Sequence, residues 1–162
     1  MAESQLMRMY ALVGQPLPGR IVTVEVIVNE GLQANYEAKK AAMDDHTNEI
    51  FAFHGGKEDA YKAIASNNFD IGRLAANTGN NGWYGAGIYF SEYPQTAKGY
   101  ARQTEKLLLS RVLVGNAFEC PGRMDGAPLT QGFDSHRSPD KKEIVIYNGD
   151  QILPSYIVGF DR

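Results

Sequence analysis

The chain has 162 residues, enough for one domain with a sizeable core and no need of disulfides or a structural metal. An apolar share of 43% and a charged share of 22% are those of a globular protein, and 16 basic against 19 acidic residues leave a net charge of −3. That balance argues against a protein that grips duplex nucleic acid by neutralising phosphates. Cys120 is the single cysteine, which excludes an intramolecular disulfide and fits a reducing compartment.

Residues 1–20 show no sustained period and read as a lead-in of uncertain order, with one domain expected over 21–162. There is no basic-then-apolar leader, and the apolar runs at 20–28 and 107–114 are too short to span a bilayer. The expectation is a cytoplasmic or nuclear protein, off the membrane and monomeric.

Residues 20–28, RIVTVEVIV, alternate β-branched side chains and predict a strand. Asn29 is placed to cap a helix with Leu32, Tyr36 and Met43 on one face, where the Lys39 stem can also cover apolar surface. A short buried strand is predicted at 50–53, ending at His54, Gly55 and Gly56, and a helix at 58–65 with Ala60 and Ile64 on one face. The Asn- and Gly-rich run 66–85 reads as a loop, and one so long in a compact domain is more often a functional cover than a connector. A strand at 87–91 precedes a helix that starts at Pro94 and runs to about Arg102. Residues 107–114 predict a buried strand and 116–142 a turn-rich stretch. Two closing strands, 143–147 and 152–160, are joined by the turn Asn148-Gly149-Asp150, and Pro154 should put the last at an edge or a bulge. Short strands, turn-rich connections and three modest helices predict an α+β fold of mainly antiparallel sheets.

Three segments place a polar side chain at the edge of a short apolar run: Phe53-His-Gly-Gly, Tyr84-Gly-Ala-Gly-Ile-Tyr-Phe-Ser, and Lys142-Glu-Ile-Val-Ile-Tyr. Each has an ordinary explanation when taken alone. His54 is then a hydrogen-bonded structural histidine, Glu143 a solvated carboxylate, and Tyr89 and Tyr100 core or surface aromatics. The glycine run is no dinucleotide fingerprint, because it leads into a strand where the fingerprint opens a helix. Cys120, His136 and His46 lack metal-ligand spacing, so no metal is expected.

Taken in order, the three segments resemble the catalytic domain of the poly(ADP-ribose) polymerase family, the diphtheria-toxin-like ADP-ribosyltransferases. The resemblance rests on His54-Gly55, Gly87-Ile88-Tyr89-Phe90 and Glu143, and extends through IVTVEVIVNEGLQANYEAKKAAM, LLLSRVLVGN and EIVIYNGDQILPSYIV, the last like the family's closing hairpin. It covers 21–160 and implies the ADP-ribosyltransferase fold of two packed sheets with flanking helices, with NAD⁺ as co-substrate and no metal.

By that resemblance the catalytic residues are Glu143, His54 and Tyr89. Glu143 would hydrogen-bond the 2′-hydroxyl of the nicotinamide ribose, support an oxocarbenium-like transition state and orient the incoming nucleophile. His54 would hold the adenosine-side ribose, and Gly55 would clasp the carboxamide through its backbone. Tyr89 and Tyr100, eleven residues apart as in the family, would sandwich the ring. The loop that leads to Trp83 and Tyr84 corresponds to the family's donor loop, with Arg73 as a phosphate or adenine contact; Tyr84, Phe90 and Ala97 complete the implied NAD⁺ contacts. Ala97 is a departure, standing where many members have a serine that donates to the carboxamide, with Thr96 beside it. The loss of one hydrogen bond costs about 0.5–1.5 kcal/mol, up to about tenfold in affinity.

The resemblance implies transfer of ADP-ribose, as single units or as polymer, to an acceptor protein, the chain itself included, or to a nucleic-acid end, and by it Phe118 to Asp140 would form the acceptor-facing loop. A helical regulatory domain, zinc fingers or reader modules would not fit in 162 residues, so NAD⁺ access is expected to be unrestrained. NAD⁺ hydrolysis by the same triad and a non-catalytic NAD⁺ or ADP-ribose binding module are the alternatives.

Overall fold

The computed structural model describes residues 16–71 and 82–161. Strand β1 (Ile21–Val26) leads to helix α1 (Glu30–Met43), strand β2 (Glu49–His54) and helix α2 (Glu58–Asn67). Strand β3 (Ile88–Phe90) and helix α3 (Pro94–Lys98) follow, then β4 (Lys106–Leu113), β5 (Ala117–Glu119), β6 (Ser135–Arg137), β7 (Ile144–Ile146) and β8 (Ile152–Phe160). The strands form two four-stranded sheets, ordered β1-β8-β4-β2 and β3-β7-β6-β5, and all ladders are antiparallel except β5 with β6. This is the α+β architecture of two mainly antiparallel sheets with few helices that the sequence predicts.

Local chemistry accounts for most boundaries. The Asn29 side chain accepts from the Leu32 N–H at 3.1 Å, capping α1 as expected, and Tyr36 is fully buried on the predicted face. Helix α1 lies over the first sheet at Arg111, whose guanidinium sits 5.3 Å from the centre of the Tyr36 ring, while the Tyr36 hydroxyl donates to Glu49 at 2.7 Å. Helix α2 buries Tyr61 against Leu108 and Ile157. Between the sheets, Ala52, Val112 and Ile152 of the first pack with Ile88, Phe90, Ile144 and Ile146 of the second. The opposite side of the first sheet carries Phe53, Leu107, Leu109, Val158 and Phe160, covered by Ala97 of α3.

Three expectations need correction, and one is met by its second alternative. Strands β7 and β8 do not form a closing hairpin: β7 pairs with β3 and β6, β8 with β1 and β4, so the Asn148-Gly149-Asp150 turn carries the chain from one sheet to the other. Of the edge or bulge expected for it, Pro154 shows the bulge, in a central strand. Its missing N–H is absorbed by a register shift opposite Leu109/Ser110, and the β1 ladder has already ended at Val26↔Tyr156. Helix α3 stops at Lys98, short of Arg102, because the Lys98 ammonium folds back to the Thr104 carbonyl and Glu105 at 2.7 Å and turns the chain toward β4. Tyr100 is therefore in the turn after the helix, not on it. Finally, the turn-rich stretch 116–142 contains β5 and β6, three residues each.

Candidate active site

The two sheets meet where the three singled-out segments meet. Phe53 at the end of β2 exchanges backbone hydrogen bonds with Ser91, just past β3, at 2.8 and 2.9 Å. The Ser91 hydroxyl donates to the Lys142 carbonyl at 2.5 Å, so one side chain ties the third segment to the first two. Side chains alternate along the short strands of the second sheet. Ile88, Phe90, Ile144 and Ile146 face the core, while Tyr89 and Val145, directly paired, face the other way.

His54 closes β2. Its Nδ1–H donates to the Tyr89 carbonyl at 2.8 Å, which fixes the tautomer and leaves Nε2 as an acceptor. Burial beside Phe69 and Phe90 lowers its pKa, opposed by the Tyr89 carbonyl, so the ring is held neutral. Gly55 follows, and a Cβ there would overlap the Ala97 carbonyl oxygen and meet the Ala101 nitrogen at 2.9 Å. Packing against the backbone of α3 and the turn after it thus requires glycine at this position whether or not a ligand is bound.

Tyr89 has both hydrogen-bonding capacities of its hydroxyl occupied by the turn before β3. It accepts from the Tyr84 N–H at 2.9 Å and donates to the Gly85 carbonyl at 2.8 Å. Burial, with the Glu143 charge as a further contribution, pushes this phenol up to about 12. Gly85 has φ +121°, and a Cβ there would overlap the Tyr147 hydroxyl.

Glu143 stands just before β7. A reciprocal pair fastens its backbone: its N–H donates to the Ser138 hydroxyl at 3.0 Å, and its carbonyl accepts from the Ser138 N–H at 2.9 Å. Its carboxylate accepts a 2.5 Å hydrogen bond from the Tyr100 hydroxyl. Burial raises the Glu143 pKa, the Tyr100 bond lowers it, and the neighbouring Asp140 charge raises it, for a net upward shift. Asp140 is itself held low by the Ser138 hydroxyl and the Lys142 N–H.

His54, Gly55, Tyr89, Ala97, Tyr100 and Glu143 are therefore brought to one locality. Two of the expected contacts sit differently. Phe90 is 2% exposed and packs inward against His54 and Phe69, and Ala97 is 3% exposed among Phe53, Leu107 and Leu109. Tyr84 is partly exposed, and its phenol is raised by burial and by the charges of Glu143 and Asp140. Arg73 lies outside the described residues. Ser91, Ser138 and Asp140 are additions that the sequence reading misses. The Ser138-Pro139-Asp140 turn carries a readable signal, a hydroxyl and a carboxylate two residues apart; Ser91 carries none.

The arrangement offers a neutral imidazole acceptor, a carboxylate of raised pKa and partly exposed tyrosine rings, which suits a ribose-bearing aromatic cation. The described residues include no group of three or more His, Cys, Asp or Glu able to hold a metal, and no helix long and apolar enough to cross a membrane. No curated protein matches the chain. The profile of the poly(ADP-ribose) polymerase catalytic domain matches residues 2–124 of the 162, a span that includes His54, Tyr89 and Tyr100 and ends before Glu143. The chain belongs to the poly(ADP-ribose) polymerase catalytic domain family, whose activity is NAD⁺-dependent ADP-ribosyl transfer.

Proposed function

We propose that this chain binds NAD⁺ with its nicotinamide between Tyr89 and Tyr100, and uses Glu143 to transfer ADP-ribose to an acceptor. His54 Nε2 accepts from the adenosine-side ribose, and the Gly55 backbone takes the carboxamide. The bond between the ribose C1′ and the nicotinamide nitrogen breaks, and its electron pair leaves with nicotinamide and neutralises the pyridinium. Positive charge builds on the ribose ring, and the Glu143 carboxylate, bonded to the 2′-hydroxyl, stabilises it. The acceptor oxygen then bonds to C1′ and surrenders its proton, with Glu143 within reach as the base.

The observation that carries this reading is the convergence of His54, Tyr89 and Glu143, 89 residues apart at their extremes, at one seam fastened by Ser91. A carboxylate at position 143 is compatible with elongation as well as with single transfer. The acceptor is a protein side chain, this chain's own included, or a nucleic-acid end.

The test compares wild type with Glu143→Gln for nicotinamide release and for label transfer from NAD⁺. Both rates should fall by roughly 10²–10⁴-fold, while NAD⁺ affinity changes little because the amide oxygen of the variant side chain can still accept from Tyr100. Equal rates remove Glu143 from the mechanism. Nicotinamide release by wild type without labelled acceptor means hydrolysis instead, and wild type that binds no NAD⁺ at millimolar concentration defeats the reading.

A further inference from the structure

His136 sits in the middle of β6 and is fully buried. It pairs with Val145 of β7, which pairs with Tyr89 of β3, so the three lie in one row across the second sheet. For filling that space an apolar side chain would serve, since Phe118 and Tyr147 already pack on the ring at 5.4 and 5.1 Å. A buried imidazole is tolerated only when its polar atoms are satisfied.

Here every hydrogen bond points to one arrangement. The Thr130 backbone N–H donates to Nε2 at 3.0 Å, with the Thr130 hydroxyl at 2.9 Å, so Nε2 carries no proton. The proton is then on Nδ1, which donates to the Tyr84 carbonyl at 2.8 Å and faces the Tyr147 oxygen at 3.1 Å. The Tyr147 hydroxyl donates to the Ala127 carbonyl at 3.2 Å. On one side the imidazole thus grips the loop that holds Ala127 and Thr130. On the other it grips the residue whose N–H holds the Tyr89 hydroxyl. That loop also pairs with the turn before β3, through Met124 N–H to the Trp83 carbonyl at 2.6 Å and Gly126 N–H to the Gly82 carbonyl at 2.9 Å.

We infer that His136 is a positioning residue: its two nitrogens set the Tyr84–Gly85 turn, and through it Tyr89, against the Thr130 loop, so that the NAD⁺ side and the loop side of the site are held in register by one ring. The inference rests on the proposed role of Tyr89 in NAD⁺ binding.

Two substitutions separate the nitrogens. Asparagine places an amide at the Nδ1 position and keeps the donor to Tyr84 while losing Thr130. Glutamine reaches the Nε2 position and keeps an acceptor for Thr130 while releasing Tyr84. With the full chain, His136→Asn should leave NAD⁺ affinity within about threefold and lower label transfer relative to nicotinamide release. His136→Gln should weaken NAD⁺ binding by roughly tenfold, the loss of about one hydrogen bond, with the transfer-to-release ratio kept. Identical affinity and ratio in the two variants would overturn the inference, as would His136→Phe with wild-type values of both. Long-range ¹H–¹⁵N spectra of wild-type protein test the premise without NAD⁺. An unprotonated Nε2 and a slowly exchanging Thr130 amide are expected, and a protonated Nε2 refutes the assignment whether or not any variant folds. Wild type that shows this tautomer yet binds no NAD⁺ would sink the proposed function, and with it the role of His136 in positioning the NAD⁺ site, while leaving the ring's structural bonds in place.

Discussion

The two sheets are held together by different forces. The first has strands of six to nine residues, and its stability is apolar: Leu107, Leu108, Leu109, Val112 and Leu113 of β4 are all buried at 1% exposure or less. Strands in the second have three residues each, too short to define themselves by pairing, and side chains bonded to backbone fix their places. Ser91 reaches Lys142, Ser138 reaches Glu143, Tyr89 reaches Gly85 and His136 reaches Tyr84. Burial is non-directional and forgiving of small shifts, whereas hydrogen bonds fail over a few tenths of an ångström. Tyr89 and Glu143 of the candidate site belong to the directional sheet, where atoms must be aimed, whereas His54 ends a strand of the apolar one, which anchors it.

The comparison breaks most visibly in the apolar sheet. Leu108→Ala should cost about 2–5 kcal/mol by opening a cavity beneath Tyr61, read as a lower denaturant midpoint, with NAD⁺ affinity of the folded fraction unchanged; a shifted affinity would mean that the two regions are not separable. In the directional sheet, Gly85→Ala forces a side chain into a φ of +121° and onto the Tyr147 hydroxyl, at a cost of roughly 1–3 kcal/mol. Its signature should be weakened NAD⁺ binding and faster amide exchange at 124–127 before any large loss of melting temperature.

A finer effect concerns pH. Burial and the Asp140 charge raise the Glu143 pKa, so the proposed reaction should gain rate with pH as the carboxyl ionises above the usual carboxylate range. Asp140→Asn removes a negative neighbour and should move that acid limb to lower pH. Tyr100→Phe removes the hydrogen bond that favours the ionised form and should move it higher. Limbs that coincide in both variants would show that another group controls the profile. The same shift has a stability sign. The folded chain keeps the Glu143 proton to higher pH than the unfolded chain does, so its contribution to stability falls as pH rises between the two values.

The smallest effect is at position 97. Ala97→Ser should lower the melting temperature slightly, because the new hydroxyl enters the Phe53–Leu107–Leu109 cluster, and leave the NAD⁺ dissociation constant within about threefold. Binding tightened by about tenfold would show instead that the hydroxyl turns out of the cluster to the carboxamide.

Much of the first sheet is legible in the sequence because its strands are long enough to show a period and the helices announce themselves, α1 by Asn29 and α3 by Pro94. The second sheet is half hidden. Ala117–Glu119 and Ser135–Arg137 are three residues each, and no periodicity exists in three residues. The expected hairpin fails for a related reason: Asn148-Gly149-Asp150 is a good turn, but a turn does not say which sheet the chain enters next. Motif and order single out His54, Tyr89 and Glu143 as candidates. They do not find what fastens them, since Ser91 to Lys142 and Tyr100 to Glu143 are contacts across 51 and 43 residues that no local pattern encodes. The motif marks Phe90 as a contact, whereas strand alternation turns it inward.

Gly55 bears on how such sites are recognised at all. With the α3 backbone pressed against its α-carbon, a library randomised at position 55 and selected for folding alone, with no NAD⁺ present, should return glycine. A glycine beside the histidine of a candidate site is then a record of chain packing as much as of chemistry. A descendant that lost the enzyme activity but kept the fold would keep this glycine too.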